Sequence, residues 1–152
     1  MIRFESEQTI DRSAVDVWAY AADVTQHPMW MAIEDAEIVR GESGEVGTRF
    51  RETIKMGPRR YAAGFVVSES VPGKSIAWRV TGGMPLAGEA RLELESLAHG
   101  RTRARWSGAF RLTGMWRLVE PLMAGEVRSS EAAELVRLKG ILEAPAATPA
   151  VA

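Results

Sequence analysis

The feature that most constrains this fold is a run of six strand-like segments followed by one long helical segment. Short stretches rich in glycine and proline, such as Gly57-Pro58 and Gly82-Gly83, separate the strand-like segments. Connections this short join neighbouring strands as antiparallel hairpins. The sequence therefore predicts an antiparallel sheet. Its strands are predicted to span residues 33–40, 46–56, 60–70, 75–81, 86–97 and 101–112.

The N-terminal region predicts one strand and one helix ahead of this sheet. Residues 3–10 alternate weakly between apolar and polar side chains, as a strand does. Ser13 and Asp16 then form a Ser-x-x-Asp capping pattern, which is typical of a helix start. His27-Pro28 is expected to end this helix or to begin another short turn. The predicted apolar face of the helix consists of Val15, Trp18, Ala19 and Ala22.

The C-terminal segment 113–143 has apolar residues at every third or fourth position, which predicts a long helix. A continuous helix of this length would extend about 45 Å, enough to cross a whole domain. Pro121 lies inside the pattern, so we expect it to kink the helix or to divide it into two pieces. The last residues, 144–152, are rich in alanine and proline and are predicted to form a flexible tail.

The hairpin formed by the last two strands has a register that the charges define. A three-residue loop ending at Gly100 places Glu93 opposite Arg105 and Glu95 opposite Arg103. Gly100 is then expected to adopt the left-handed backbone conformation that such loops require. The acidic and basic rows are interpreted as a solvated outer face rather than as a binding strip.

The strand RFRETIKM (49–56) places a glutamate on its apolar side. With a period of two, Glu52 shares a face with Phe50, whereas the arginines and the lysine lie on the other face. A carboxyl group on an apolar face must be paired, ionise at a cost, or hold its proton with a raised pKa. Glu52 is therefore a candidate polar anchor for a ligand and a candidate general acid or base. The alternatives are a bulge that turns Glu52 outward, or pairing with an arginine such as Arg79 or Arg111 near the rim of the sheet.

Composition excludes several classes of protein. The net charge of −1 over 152 residues creates no field that would attract nucleic acid or an anionic membrane. Cysteine is absent, which excludes disulfides, thiolate nucleophiles and cysteine-ligated metals. Because the two histidines are isolated and no Gly-rich nucleotide-binding loop is present, we expect no metal and no cofactor. The N-terminus lacks a signal-peptide pattern and no stretch reaches the ~18 apolar residues of a membrane span, so a cytoplasmic protein without stable membrane insertion is expected.

Four stretches of the chain match the motifs of one superfamily. They are SAVDVWAYAADVTQHPMW (13–30), EVGTRFRE (45–52), VVSESVPGKSIAWRV (66–80) and GMWRLVEPLMAGEVRSSEAAELVRLKGILE (114–143). They resemble the START/Bet v 1-like, or SRPBCC, superfamily, and most of all its bacterial polyketide cyclase/dehydrase-like group. The resemblance implies a single α+β domain over residues 1–143 with the helix-grip fold, in which a curved antiparallel sheet of about seven strands surrounds a long C-terminal helix. It also implies a hydrophobic cavity between the sheet and the helix.

The candidate ligand-binding residues lie on the apolar faces of the predicted strands and of the final helix. Five tryptophans and seven methionines are many for so small a core, and they suit a pocket for a flat or greasy ligand, although ordinary core packing is the alternative. His27, near the predicted mouth of the cavity, is a candidate proton relay, or else a helix cap or a solvated residue. The candidates are Phe50, Glu52, Ile54, Phe65, Val67, Trp78, Leu92, Trp106, Phe110, Trp116, Val119 and Met123.

Three functions are compatible with this resemblance. The first is binding of an apolar small molecule of polyketide, aromatic or lipid type. The second is catalysis as a polyketide cyclase, aromatase or dehydratase in the same cavity. Family cyclases typically use paired ionisable groups, and here Glu52 has no evident partner. The third is a regulatory or interaction subunit, which an exposed apolar patch on the final helix would favour. In each case a monomer or a homodimer is expected.

Overall fold

A computed structural model of the protein describes residues 1–145, so the predicted tail lies outside the described residues from residue 146 onward. Seven antiparallel strands form one sheet in the order β1-β7-β6-β5-β4-β3-β2, in which the first strand pairs with the last. The predicted antiparallel sheet is therefore confirmed. The strands are β1 (Ile2–Ile10), β2 (Asp35–Arg40), β3 (Arg49–Met56), β4 (Arg59–Val71), β5 (Ser75–Gly82), β6 (Leu86–Ser96) and β7 (Thr102–Leu112).

Three α-helices and three 3-10 helices complete the described part of the chain. The α-helices are α1 (Ala14–Ala22), α2 (His27–Trp30) and α3 (Glu120–Glu143). The 3-10 helices are Val24–Gln26, Ala98–Gly100 and Gly114–Val119. Helix α3 lies against β1 and β7 on one face of the sheet. A long C-terminal helix on a curved antiparallel sheet is the predicted helix-grip architecture.

Pro121 divides the C-terminal segment, as predicted. The segment begins as the 3-10 helix Gly114–Val119, and α3 follows with Pro121 in its first turn. A proline is well accommodated there because the first backbone N–H groups of a helix have no intrahelical acceptor. The α-helix is therefore about 36 Å long rather than about 45 Å. The shorter helix leaves the 3-10 helix free to form a separate piece of wall.

Helix α1 begins as predicted but buries a different face. The side chain of Ser13 accepts a hydrogen bond from the backbone N–H of Asp16, which confirms the cap. The predicted face was right for Ala22, which is buried, and wrong for Val15, which is 67% exposed; the buried row contains Ala14 and Val17 instead. Small residues dominate the buried row, which allows the helix to pack close to its neighbours.

The register of the β6–β7 hairpin is the predicted one. Glu93 lies opposite Arg105 and Glu95 opposite Arg103. Gly100 has a φ of +68° and the preceding His99 also adopts a positive φ, of +63°, so the loop uses two left-handed residues. The charged rows lie on the exposed outer face, where the Arg103 guanidinium is 2.9 Å from the Glu95 carboxylate. Exposed pairs of this kind contribute about 0.2–1 kcal/mol each.

The two halves of α3 have different surroundings. In the second half, Leu135, Leu138 and Leu142 are buried in the hydrophobic core. We call this region the packed end of the molecule; its other members are Ile10, Val17, Val67, Ile76, Leu92 and Ala104. The first half of α3 lies instead over an internal cavity. The fold is thus dense at one end and hollow at the other.

Candidate functional site

The cavity lies between the sheet and the first half of α3 and has a volume of about 550 Å³. Strands β3 to β7 contribute one side, and the 3-10 helix Gly114–Val119 together with the start of α3 contributes the other. The residues around α2 close the space from the N-terminal side. A volume of this size is in the range of small-molecule binding sites.

Most of the predicted ligand-binding side chains lie on the cavity wall. Val67 and Leu92 do not, because both lie in the packed end, where they contact other core side chains. Their strands pass through both halves of the molecule, and alternation alone does not show where along a strand the hollow begins. The predicted residues found on the wall are Phe50, Glu52, Ile54, Phe65, Trp78, Trp106, Phe110, Trp116, Val119 and Met123.

Aromatic rings form a large part of the wall. Phe50 stacks on Phe65 with their ring centroids 5.3 Å apart. Trp78 and Trp106 meet edge to face at 5.7 Å. The indole N–H of buried Trp78 donates to no acceptor within residues 1–145. The wall therefore consists largely of flat apolar surfaces, and the unpaired N–H of Trp78 is buried among them.

Glu52 faces the cavity and is paired with a histidine, not with an arginine. His27 Nδ1 lies 2.8 Å from Glu52 Oε2, and both side chains are buried. The other ring nitrogen, Nε2, lies 3.1 Å from the backbone carbonyl of Ala21. A carbonyl only accepts hydrogen bonds, so Nε2 carries a proton. One further proton joins Nδ1 and Oε2, and the pair has no net charge whichever atom holds it.

Two turns of the chain bring His27 to this position. Asp23 accepts from the backbone N–H of Thr25 and caps the 3-10 helix Val24–Gln26, and α2 starts directly after it at His27. From the sequence, His27 was a candidate proton relay near the cavity, or else a helix cap or a solvated residue. The structure excludes the solvated alternative, because His27 is completely buried. His27 and Glu52 are separated by 25 positions in the chain, so no local pattern could join them.

Besides the His27–Glu52 pair, two carboxyl groups on α3 line the cavity. Glu131 and Glu134 lie one turn apart on α3, with their carboxyl groups near enough to interact directly. Glu131 also accepts from the Trp106 indole N–H at 2.9 Å, and Glu134 accepts from the backbone N–H of Ala32 at 3.2 Å. Burial and the neighbouring Glu131 raise the pKa of Glu134 well above its ordinary value, and burial also raises the pKa of Glu131.

The sequence analysis missed this carboxyl pair, although a signal was present. Glu131 and Glu134 interrupt a helical row that otherwise contains Val127 and Leu138. An acidic residue inside the apolar row of a helix indicates, as Glu52 does on the apolar face of a strand, a carboxyl group that must be paired or hold its proton. Within residues 1–145, no group of three or more histidine and acidic side chains is arranged to hold a metal ion.

The outer surface of the cavity wall is also apolar. Met115, Leu118 and Leu122 are 85%, 82% and 83% exposed. They lie on the 3-10 helix Gly114–Val119 and the first turn of α3, whose inner side chains include Trp116 and Val119. An exposed apolar patch on the final helix, the feature expected of an interaction subunit, is thus present. No helix in the described part of the chain is both long and apolar enough to cross a bilayer.

Comparison with known proteins identifies the architecture. A sequence model of the family described as polyketide cyclase / dehydrase and lipid transport matches residues 1–143. A START superfamily protein from Mycobacterium smegmatis superposes with a TM-score of 0.79 at 13% identity, covering 94% of this chain and 98% of that one. The Zhui aromatase/cyclase from Streptomyces sp. R1128 gives 0.78 at 17% identity, covering 93% of both chains. A protein from Thermus thermophilus gives 0.77 at 16% identity, with 92% and 96% covered. No curated protein matches this sequence.

Proposed function

The chain belongs to the polyketide cyclase / dehydrase and lipid transport family, and we propose that it encloses one apolar small molecule between its sheet and α3. The family and its START-like neighbours support a hydrophobic ligand-binding fold. The observation that carries the proposal is the cavity of about 550 Å³, in which aromatic rings and aliphatic side chains surround a few buried polar groups. A polyketide, aromatic or lipid-like compound has the matching apolar surface.

The binding energy in this proposal comes from removing apolar surface from water. Each square ångström of buried apolar area contributes roughly 25 cal/mol before entropic losses. Orientation would come from the polar groups on the wall. Glu52 Oε1 makes no hydrogen bond within residues 1–145, since the His27 contact uses Oε2, whereas the unpaired Trp78 N–H is itself buried.

Tryptophan fluorescence tests this proposal directly, because Trp78, Trp106 and Trp116 lie on the wall. A ligand in the cavity is expected to change their emission, and native mass spectrometry of protein from its own host is expected to show a bound compound. Ala90 also lies on the wall, and Ala90→Leu is expected to weaken binding by reducing the volume while keeping the fold. Saturable binding that Ala90→Leu leaves unchanged would place the ligand elsewhere and contradict the proposal.

A second candidate function is acid–base catalysis in the same cavity. The observation that favours it is the His27–Glu52 pair, because it supplies the ionisable partner that the sequence did not show. Oε1 of Glu52 could receive or deliver a proton at a ligand carbon or oxygen, while His27 holds the carboxyl group in place. Cyclisation and dehydration of a polyketide chain require such transfers together with a cavity that sets the shape of the chain.

The isosteric substitution Glu52→Gln separates the two functions. It removes the proton-transfer group and keeps the size of the side chain. If the protein is an enzyme, turnover of a candidate polyketide should be lost while the change in tryptophan emission on binding remains. If turnover is unchanged in Glu52→Gln, the pair is structural and this second function fails.

A further inference from the structure

The carboxyl groups of Glu131 and Glu134, one half-buried and one buried at the cavity wall, are balanced by no cationic side chain among the described residues. The pair is negatively charged whenever at least one of the two carboxyl groups is ionised. Their hydrogen-bond donors, the Trp106 indole and the Ala32 backbone N–H, are both neutral. Within residues 1–145, no lysine, arginine or histidine forms an ion pair with either carboxyl group. Buried charges in proteins are usually paired, so this one indicates a missing partner.

The other ionisable groups around the cavity do not supply that partner. His27 is committed to Glu52 and to the Ala21 carbonyl, and the His27–Glu52 pair has no net charge. Glu126, on the first half of α3, adds a further acidic group to the wall. Lys55 on β3 also lies on the wall but forms no ion pair with a described residue. The cavity therefore has an acidic side at α3 and an aromatic side at the sheet.

We propose that the ligand carries a protonated amine, which binds the Glu131–Glu134 pair while its apolar part contacts the aromatic wall. The inference rests on the proposed function, since it concerns the ligand of the same cavity. An ammonium group donates up to three hydrogen bonds and neutralises the charge of the pair. The indole and phenyl faces of the wall are also favourable surroundings for a cation.

The same arrangement disfavours the other ligand classes. A carboxylate, as in a fatty acid, would be repelled by the two acidic groups, and the cationic side chain that the described wall does contain, Lys55, is exposed and forms no ion pair with either of them. A neutral alcohol or ketone would fit the hollow but would leave the charge unbalanced. An amine should therefore bind most tightly, then an alcohol, and a carboxylate least tightly.

Three probes of similar shape test this order: naphthylmethylamine, naphthylmethanol and naphthoic acid. The binding of each probe is measured by displacement of Nile red, a neutral apolar dye whose own binding shows that the cavity accepts an apolar ligand. Because a charge-assisted hydrogen bond is worth about 1.5–3 kcal/mol, the amine is expected to bind at least about tenfold more tightly than the alcohol. Naphthoic acid is expected to bind more weakly than naphthylmethanol.

Two variants assign the preference to the carboxyl pair. Glu134→Gln imitates the protonated partner and keeps one negative charge, so it should retain the preference for the amine. The double variant Glu131→Gln/Glu134→Gln removes the charge and should bind the amine and the alcohol about equally. Glu93→Gln, on the exposed outer face of β6, makes the same chemical change away from the cavity and should behave like the wild type.

The outcomes separate this inference from the proposed function. If Nile red binds but the amine has no advantage over the alcohol, or if the double variant keeps that advantage, the amine inference is overturned and the apolar-ligand proposal stands. The same holds if Nile red binds and none of the three naphthyl compounds displaces it. If neither Nile red nor any naphthyl compound binds, both proposals fail.

Discussion

His27 Nδ1 and Glu52 Oε2 lie 2.8 Å apart inside the protein and join α2 to the centre of β3. The pair answers the question that the sequence raises about Glu52, because the carboxyl group faces the cavity and has a partner that comes from another element. A hydrogen-bonded pair without net charge can be buried at a much lower cost than an isolated carboxylate. Its stability therefore depends on both members.

Removing only the histidine should destabilise the protein strongly. His27→Leu leaves Glu52 buried without its donor, and we expect a loss of about 3–5 kcal/mol in the free energy of unfolding. The double variant His27→Leu/Glu52→Leu removes both polar groups and should be closer to the wild type than the single variant is. Urea unfolding of the three proteins measures both differences. Losses that simply add would show that the two side chains are not coupled.

The stability of the protein should depend on pH through Glu134. The pKa of its carboxyl group is raised well above 4.5 by burial and by Glu131, so the folded protein holds a proton that the unfolded chain releases. The resulting stability is full below the ordinary pKa and is lost as the pH rises through the raised one. We expect Glu134→Gln, which cannot ionise, to lose less stability than the wild type between about pH 5 and pH 8. If urea unfolding gives parallel curves of stability against pH for the two proteins, the pKa of Glu134 is not raised by folding.

Shortening a side chain should cost more stability in the second half of α3 than in the first half. Leu138→Ala in the packed end removes a fully buried side chain, and we expect a loss of about 2–5 kcal/mol. Met123→Ala at the hollow end shortens a side chain that already borders a cavity, so its loss should be less than half as large. Chemical unfolding of both variants gives the comparison. Equal losses would indicate that the first half of α3 is packed as tightly as the second.

The exposed apolar patch should contribute little to folding. Leu118→Ser/Leu122→Ser changes two side chains that are more than four-fifths exposed, so the free energy of unfolding should stay within about 1 kcal/mol of the wild type. Thermal and urea unfolding check this expectation. If the double variant is strongly destabilised, these side chains are buried in solution, as they would be in a homodimer, and light scattering would then show a change in oligomeric state.

The sequence predicted most of the fold because the relevant signals are local. Alternation along each strand, glycine and proline at the turns, and helical spacing after residue 113 are all properties of short segments. The charges of the β6–β7 hairpin even determined its register, since Glu93 and Glu95 have only one pairing that satisfies both faces. The predicted face of α1 was wrong in part, because two overlapping apolar rows are present in that helix and its packing against the sheet selects one of them.

The site was predictable only in part, because local patterns show which face of a strand points inward but not which inward residues border the cavity. Alternation placed Phe50, Glu52 and Ile54 on the inner face, and the structure puts all three on the cavity wall. It could not separate Leu92, which lies in the packed end, from Trp78, which borders the hollow, since both are inward-facing residues of neighbouring strands.

The amino-acid sequence by itself determined the strands, the turns, the helix start at Ser13 and the presence of a carboxyl group on an apolar face. The tertiary structure alone decided that His27 meets Glu52, that Glu131 and Glu134 face a cavity lined by the sheet, and that one half of α3 covers a hollow. Each of these depends on distances between residues far apart in the chain. Such distances follow from how the sheet curves and where the helix lies, which no single segment encodes.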